Sequence, residues 1–199
     1  VETKAPTGYT IADPISFTVE KGKIYRSVEG EQAEIDTIAM EDQATEVIIS
    51  KTDITTGKEL PGATLQILKK VKAATDAGEE VEKEETVITI YGEKLEWVSG
   101  ETTKTIKGLP AGEYILRETA APNGYTIAKD VKFTVTDELK AAETVVMENA
   151  PIEVNISKTD ITTAKELPGA TLQILKKVTG EDEAETEEVV TTIYGEKLE

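Results

Sequence analysis

The feature that most constrains this chain is a long internal repeat. Residues 47–71 return as residues 154–178 with only two positions changed. Solenoid and propeller repeats have periods of about 20 to 50 residues, whereas these copies are separated by the length of a whole domain. The sequence therefore predicts an array of small globular modules, and such arrays typically act as stalks or multivalent binders.

Composition excludes several classes of function. The chain carries 39 acidic and 22 basic side chains, for a net charge of −17. Nucleic acid is a poor partner for such a surface, because binding it requires basic groups that neutralise phosphates. Cysteine and histidine are absent, which removes disulfides, thiolate nucleophiles, Cys or His metal ligands and histidine acid–base chemistry. We expect no cofactor.

Membrane and targeting signals are not evident in the sequence. No apolar run approaches the roughly 18 residues of a membrane span, and Val1 does not begin a signal peptide. Any targeting or anchoring segment is therefore expected outside these residues.

Most of the chain has the pattern of short β-strands. The candidates are runs rich in β-branched or aliphatic residues, separated by turns that contain Gly or Pro. In the middle of the chain they are residues 46–50, 63–68, 86–91, 102–106, 113–118, 132–136 and 144–147. This spacing predicts an all-β fold made of tandem Ig-like antiparallel β-sandwich modules. Residues 71–85 are the one stretch with a helical alternative, and length variation between the repeats indicates a surface loop there.

Both ends of the sequence are expected to fall inside a module. Residues 1–9 match 117–125, late in the complete module, and Glu199 matches Glu96, midway through it. We therefore predict a C-terminal part of one module, a complete module and an N-terminal part of a further one, called here the first, central and third segments: residues 1–45, 46–150 and 151–199. An extended loop around 21–32 is expected to lengthen the first segment.

One stretch of the central segment resembles a family motif. Residues 114–125, YILRETAAPNGY, are similar to the YxLxETxAPxGY E-box of CnaB-like (B-type collagen-adhesin, prealbumin-like) domains of Gram-positive surface proteins and pilins. The opening strand and loop at 49–63, the turn at 108–112 and Asn149 resemble the rest of that pattern. The resemblance covers the whole central segment and implies a prealbumin-like β-sandwich.

The resemblance implies a spontaneous isopeptide bond, with Lys51 as nucleophile, Asn149 as electrophile and Glu118 as catalytic carboxyl. A solvated lysine is an ammonium ion and cannot attack, but burial disfavours that charge and yields a free amine. Burial also favours a protonated Glu118, which would polarise the Asn149 carboxamide and shuttle protons. Folding would hold the reacting groups at near-attack distance, and ammonia would leave.

The residues alone leave other interpretations open. Strand lysines are mostly solvated, so spacing alone favours an exposed Lys51. Lys58 is an alternative nucleophile, although its Gly-flanked loop disfavours burial. Asp53 and Asp160 could be metal ligands, but without an EF-hand-like spacing a solvated turn aspartate is the preferred interpretation.

The outer segments carry incomplete sets of the same residues. The first holds Glu2 and Asp42 without a lysine strand, and the third holds Lys158 without a glutamate or an acceptor. The resemblance implies a catalytic Glu2 and cross-links at Asp42 and Lys158, each completed by adjoining sequence, with water leaving from Asp42. An alternative is head-to-tail self-association, in which Lys158 of one chain meets Glu2 and Asp42 of another. That composite would lack the counterpart of residues 97–116.

The expected function is a structural stalk or fibre module of a bacterial cell-surface protein, extracellular and attached to the cell wall through sequence outside these residues. Its expected partners are neighbouring modules of the same array. An ordinary enzyme is not expected, because the catalytic constellation would turn over once. A ligand-binding adhesin remains an alternative, although only 5% of residues are aromatic. A sortase-assembled pilin is another, although a YPK-type motif and a sorting signal are not found in these residues.

Overall fold

The structure is a computed structural model that describes residues 1–28, 30–74, 80–138, 141–179 and 185–198. Across these ranges the chain is all β, and none of it forms a helix that could cross a membrane. The strands are β1 (Thr18–Glu20), β2 (Lys23–Val28), β3 (Glu31–Ile35), β4 (Glu46–Asp53), β5 (Thr64–Ala74), β6 (Glu80–Thr86), β7 (Glu96–Val98), β8 (Lys104–Lys107), β9 (Gly112–Ala120), β10 (Val131–Val135), β11 (Glu143–Asn149), β12 (Leu175–Thr179) and β13 (Glu185–Val189).

The central segment is a sandwich of two sheets. One sheet has the order β10-β9-β5-β6 with β7 also paired to β5, and the other has the order β11-β4-β8. Alternate side chains of both sheets enter one apolar cluster, because successive residues of a strand point to opposite faces. Leu65 of β5, Leu116 of β9 and Ile106 of β8 are fully buried in that cluster. The predicted all-β sandwich is thus confirmed.

One strand pair departs from the antiparallel prediction. β4 and β11, the first and last strands of the central segment, run parallel, with Lys51 opposite Met147 and Asp53 opposite Asn149. A parallel pair needs a long connection, and here the rest of the sandwich supplies it. Both strands therefore end at the same edge of the sheet.

Two stretches of the central segment differ from their predicted structure. Apart from Thr86, residues 86–91 are not a strand: they belong to a turn in which the Leu95 amide bonds to the Val87 carbonyl at 2.9 Å. The predicted loop or helix at 71–85 instead contains parts of β5 and β6, which pair as a hairpin, while residues 75–79 lie outside the described residues. Exposed cross-strand ion pairs, including Lys70–Glu82 at 3.0 Å, line that hairpin.

The outer segments form smaller sheets. In the first segment β1, β2 and β3 make an antiparallel meander, so that most of the predicted loop at 21–32 is in strands. In the third segment β12 pairs with β13 and repeats the β5–β6 hairpin. Residues 153–158, which correspond to most of β4 in the repeat, lie in none of the described strands.

Candidate cross-linking site

Three polar side chains meet inside the central sandwich. Lys51, Glu118 and Asn149 are only 2%, 4% and 0% exposed. Lys51 and Asn149 each lie two residues after a buried apolar residue of the same strand, namely Ile49 on β4 and Met147 on β11. Their side chains therefore point to the same, inward face of the sheet. The period of two that buries the apolar residues therefore also carries these polar groups into the core.

The glutamate lies between the lysine and the asparagine. Glu118 Oε1 is 3.7 Å from Lys51 Nζ and accepts a hydrogen bond of 3.0 Å from Asn149 Nδ2, which also bonds to Oε2 at 2.9 Å. Asn149 Nδ2 donates a further bond of 2.8 Å to the Thr126 carbonyl. Lys51 Nζ lies 3.4 Å from the Met147 carbonyl. The three predicted residues are thus in mutual contact through one carboxyl group.

The loop after the E-box holds the carboxyl group in place. The Ala128 amide donates a bond of 2.6 Å to Glu118 Oε2. On the opposite face of β9, Arg117 Nη2 bonds to Asp130 Oδ2 at 2.6 Å, which ties down the loop that carries Ala128. A carboxyl group held by fixed donors loses its freedom to rotate, which is the preorganisation that proton transfer requires.

Burial also shifts the pKa of the lysine. Removal from water lowers the pKa of Lys51, and the nearby Glu118 carboxyl opposes that effect only in part. The expectation from spacing alone, an exposed Lys51, is wrong. Lys58, the alternative nucleophile, is exposed in its loop.

The side-chain amide of the asparagine is hydrogen-bonded through its nitrogen but not through its oxygen. Asn149 Oδ1 is buried and has no hydrogen-bond partner in the described part of the chain. The polarising role that the resemblance implies would require a donor at this oxygen. Glu118 instead contacts the amide nitrogen, which is the leaving group of the implied reaction.

The aspartates considered as metal ligands have other partners. Asp53 Oδ1 accepts a bond of 2.7 Å from the Thr55 amide, so it does sit in a turn, but it is buried rather than solvated. Asp160 accepts the equivalent bond from the Thr162 amide at 2.7 Å. No group of acidic side chains suited to a metal ion occurs among the described residues.

The first segment contains a partial copy of the site. The Ala12 amide donates a bond of 2.6 Å to Glu2 Oε2, which reproduces the Ala128 contact of the central segment. Asp42 lies beside Glu2, and burial followed by the Glu2 charge and hydrogen bond raises the pKa of Asp42. Both carboxyl groups are only partly buried. The structure therefore brings Glu2 and Asp42 together.

The lysine of the third segment is not part of any such cluster. Lys158 is exposed and forms no ion pair with Glu2 or Asp42 within the described ranges. Sequence reasoning also missed several partners of the central site, namely the Ala128 amide and the Thr126 and Met147 carbonyls. These are backbone groups, and residue identity carries no signal for them.

Comparison with known proteins identifies the family. The domain described as SpaA, prealbumin-like fold, matches residues 45–151, a little over half of the chain. No curated protein matches the sequence.

Solved structures similar to the chain include several pilus proteins. The C-terminal domain of the shaft pilin SpaA from Lactobacillus rhamnosus GG is 18% identical, with 54% of this chain and 98% of that chain covered and a TM-score of 0.37. The group B streptococcus pilus 2b backbone protein is 19% identical over 71% of this chain and 55% of that chain, with a TM-score of 0.39. The pilus adhesin RrgA from Streptococcus pneumoniae is 20% identical over 66% of this chain, with a TM-score of 0.46, and only 18% of its length is covered.

The family match spans both sheets of the central sandwich and all three contacting side chains. It confirms the resemblance read from the E-box. The chain belongs to the SpaA prealbumin-like fold domain family.

Proposed function

We propose that the central segment closes itself with an amide bond between Lys51 Nζ and Asn149 Cγ, and that it serves as a covalently braced module of a surface stalk or fibre. The observation that carries the proposal is the buried contact of Lys51 and Asn149 with one carboxyl group, Glu118. Buried lysines and carboxyls are rare unless they are paired, and this pair also touches a buried carboxamide.

The contacts support a proton-shuttle role for Glu118. The free amine of Lys51 attacks Asn149 Cγ, and the C–N bond to Nδ2 breaks as the new C–N bond forms. Glu118 takes the proton that Lys51 Nζ loses and delivers it to Nδ2, so that ammonia leaves and the carboxyl group returns to its starting state. Its oxygen lies within hydrogen-bond reach of the leaving nitrogen, at 3.0 Å, whereas the 3.7 Å separation from the amine has to shorten for the first transfer.

The enclosed site also supports two further requirements of the reaction, a free amine and close reacting groups. Burial lowers the pKa of Lys51, which raises the fraction of free amine. Packing on fixed strands keeps the amine and the carboxamide together and replaces a bimolecular encounter. Each module would react once, so the chemistry is a maturation step and the chain is no ordinary enzyme.

A bond at this place would shield the module from tension. A pull applied at Glu46 runs along β4 to Lys51, crosses to Asn149 at the end of β11 and leaves the module there. The residues between Asp53 and Asn149 would carry little of that load. By the loop-entropy argument developed for disulfides, closing a loop of about 100 residues also stabilises the fold by about 4.7 kcal/mol.

This chemistry suits an extracellular protein of a Gram-positive cell surface. An amide bond resists reduction, and the chain has no cysteine that could form a disulfide instead. The repeated sequence supports a partner of the same kind, namely the neighbouring module of one array. Cell-wall attachment would be supplied by sequence outside these residues.

Head-to-tail pairing between chains is a second proposal for the outer segments. Lys158 is exposed, and Glu2 and Asp42 lie together and form no ion pair with a lysine of the described ranges. A strand carrying Lys158 would enter beside Asp42 of another chain. Covalent ladders on a denaturing gel that vanish in Lys158→Ala would support this pairing, and ladders that persist in the variant would refute it.

The intact mass under denaturing conditions tests the central proposal. The protein should be lighter than its sequence by one ammonia, and Glu118→Gln, which keeps the shape of the side chain but cannot cycle a proton, should have the full sequence mass. A protein with the full sequence mass would be an uncross-linked sandwich. An ammonia deficit that survives in Glu118→Gln would remove Glu118 from the mechanism.

A further inference from the structure

Neighbouring segments contact each other through the same two turns at both junctions. One is the Ile-Tyr-Gly stretch at residues 90–92 and again at 193–195, called here the docking turn. The other is the Gly-Tyr pair that ends each E-box, at residues 8–9 and 124–125, called here the receiving turn. In each case the docking turn of one segment lies on the receiving turn of the segment before it.

The receiving turn requires glycine for two reasons. Gly8 and Gly124 have φ angles of +80° and +85°, a region that side chains other than glycine rarely adopt. The space beside each is also filled by an isoleucine: a Cβ on Gly8 would lie 2.7 Å from Ile90 Cγ2, and one on Gly124 would overlap Ile193 Cγ2. The isoleucine therefore sits directly against the backbone of the preceding segment.

Tyrosines add a polar contact beside each isoleucine. Tyr91 lies beside Tyr9 at the first junction, and Tyr194 lies beside Tyr125 at the second. At the second junction both hydroxyls donate to Asp53 Oδ2, from Tyr125 at 3.0 Å and from Tyr194 at 3.2 Å. One buried carboxylate thus joins two segments.

Backbone bonds prevent the connection between segments from acting as a loose tether. The Gly8 carbonyl accepts a bond of 2.9 Å from the Thr45 amide, where the first segment passes into the central one. The Gly124 carbonyl accepts the equivalent bond of 2.8 Å from the Ile152 amide. The linking residues therefore fold back onto the receiving turn at both junctions.

We propose that the docking and receiving turns form a rigid joint that fixes the orientation of each module on the one before it. Free relative motion is the usual expectation when an interface within a chain is small. Here an apolar contact, a tyrosine pair and a backbone bond recur at two junctions. The array is then a stiff rod, and the partner of each docking turn is the preceding module.

The joint also meets the strands that carry the proposed cross-link. Asp53 ends β4 and lies opposite Asn149, and the Ile54 amide donates a bond of 3.1 Å to the Asn149 carbonyl. Tension that enters through Tyr194 therefore reaches these two strands first. The joint itself does not depend on the cross-link.

Distances between spin labels test the joint directly. Because the chain has no cysteine, cysteines placed at Gln32 and Thr105, both exposed and in different segments, give one labelled pair. We expect a single narrow distance distribution in the parent and loss of that narrow peak in Ile90→Ala. Ile88→Ala, an exposed residue of the same loop, is the matched control and should leave the peak unchanged.

Two further variants guard against local misfolding. Gly8→Ala blocks the same contact from the first segment and leaves the central segment untouched, so it should broaden the distribution as well. With labels at Thr105 and Glu187, Ile193→Ala should do the same at the second junction. A distribution that is already broad in the parent, or one that stays narrow in Ile90→Ala and Gly8→Ala, would overturn the joint. The intact mass of each variant reports the cross-link separately, so the two proposals fail independently.

Discussion

The central and third segments share the sequence ISKTDITT, yet its lysine is buried in one segment and exposed in the other. Lys51 is buried on β4, whereas Lys158 is exposed on residues that lie in none of the described strands. β4 is flanked by β8 and β11, and residues 152–158 pair with no such strands. Burial of the lysine is therefore a property of its neighbours in the sheet rather than of its local sequence.

The glutamates show the complementary behaviour. Glu2 and Glu118 each accept a bond of 2.6 Å from an alanine amide ten residues later, although among the described residues only Glu118 forms an ion pair with a lysine. The E-box and its following loop therefore position the carboxyl group locally. Pairing between strands that are distant in sequence brings the lysine amine to this carboxyl group and excludes water from the site.

Replacing Lys51 should have the largest effect, because it gives the central segment a site without an amine, as in the first segment. Lys51→Met keeps the volume of the side chain, prevents the cross-link and should lower the free energy of unfolding by about 4.7 kcal/mol. Trp97 is the only tryptophan of the chain and lies in the central segment, so its fluorescence during denaturant unfolding measures that segment alone.

Glu118→Gln is the matched control for the lysine variant. It also lacks the cross-link, but it retains a buried lysine, so it should be at least as unstable as Lys51→Met. An unchanged unfolding midpoint in Lys51→Met would contradict a stabilising bond.

Exchanging the electrophile should have a smaller effect, on rate rather than on stability. Asn149→Asp gives the central segment the acceptor of the first, and water must then leave in place of ammonia. Only a protonated carboxyl group is a good electrophile, and its population falls about tenfold for each pH unit above its pKa. In Asn149→Asp this fall offsets the rise in free Lys51 amine, so its cross-linking should depend only weakly on pH, whereas that of the parent should quicken as Lys51 loses its proton.

A time course of intact mass after refolding at several pH values measures both rates. If Asn149→Asp and the parent have the same pH dependence, the leaving group does not control the reaction.

The smallest effect is expected in the first segment. Because the pKa of Asp42 is raised in the folded state, the folded protein binds more protons than the unfolded chain. The contribution of this pair is therefore fully present below the ordinary aspartate pKa and is lost as pH rises through the raised value. Asp42→Asn should remove that dependence.

The hydrogen-exchange rate of the Ala12 amide, which bonds to Glu2, measures the local stability around Glu2 and Asp42. Exchange corrected for intrinsic pH effects should become independent of pH in Asp42→Asn over the range in which the parent varies. Persistence of the parent profile would assign the titration to another group.

The local parts of this structure were predictable from the sequence. The repeat and the sandwich class follow from the sequence pattern, and the predicted strand at 113–118 contains Glu118. The predicted strands at 46–50 and 144–147 stop short of Lys51 and Asn149, which only the family resemblance singled out. The hairpin of β5 and β6 could not be predicted. Its exposed residues are mostly Lys and Glu on both strands, so they do not show the alternation of apolar and polar residues that indicates a strand.

Long-range relations could not be predicted in the same way. The parallel pairing of β4 with β11 joins strands separated by the whole sandwich, and the pattern of a single strand carries no direction for its partner. Ile90 has the side chain of a core strand residue, but its partner at the junction is Gly8 in the preceding segment. Its role depends on a contact that periodicity does not encode.

The most direct measurement is the identification of the cross-linked peptide. After digestion under denaturing conditions, mass spectrometry should find a branched species in which the peptide containing Lys51 is joined to the one containing Asn149, lighter than the two together by one ammonia. Separate linear peptides with Lys51 and Asn149 unmodified would contradict the account.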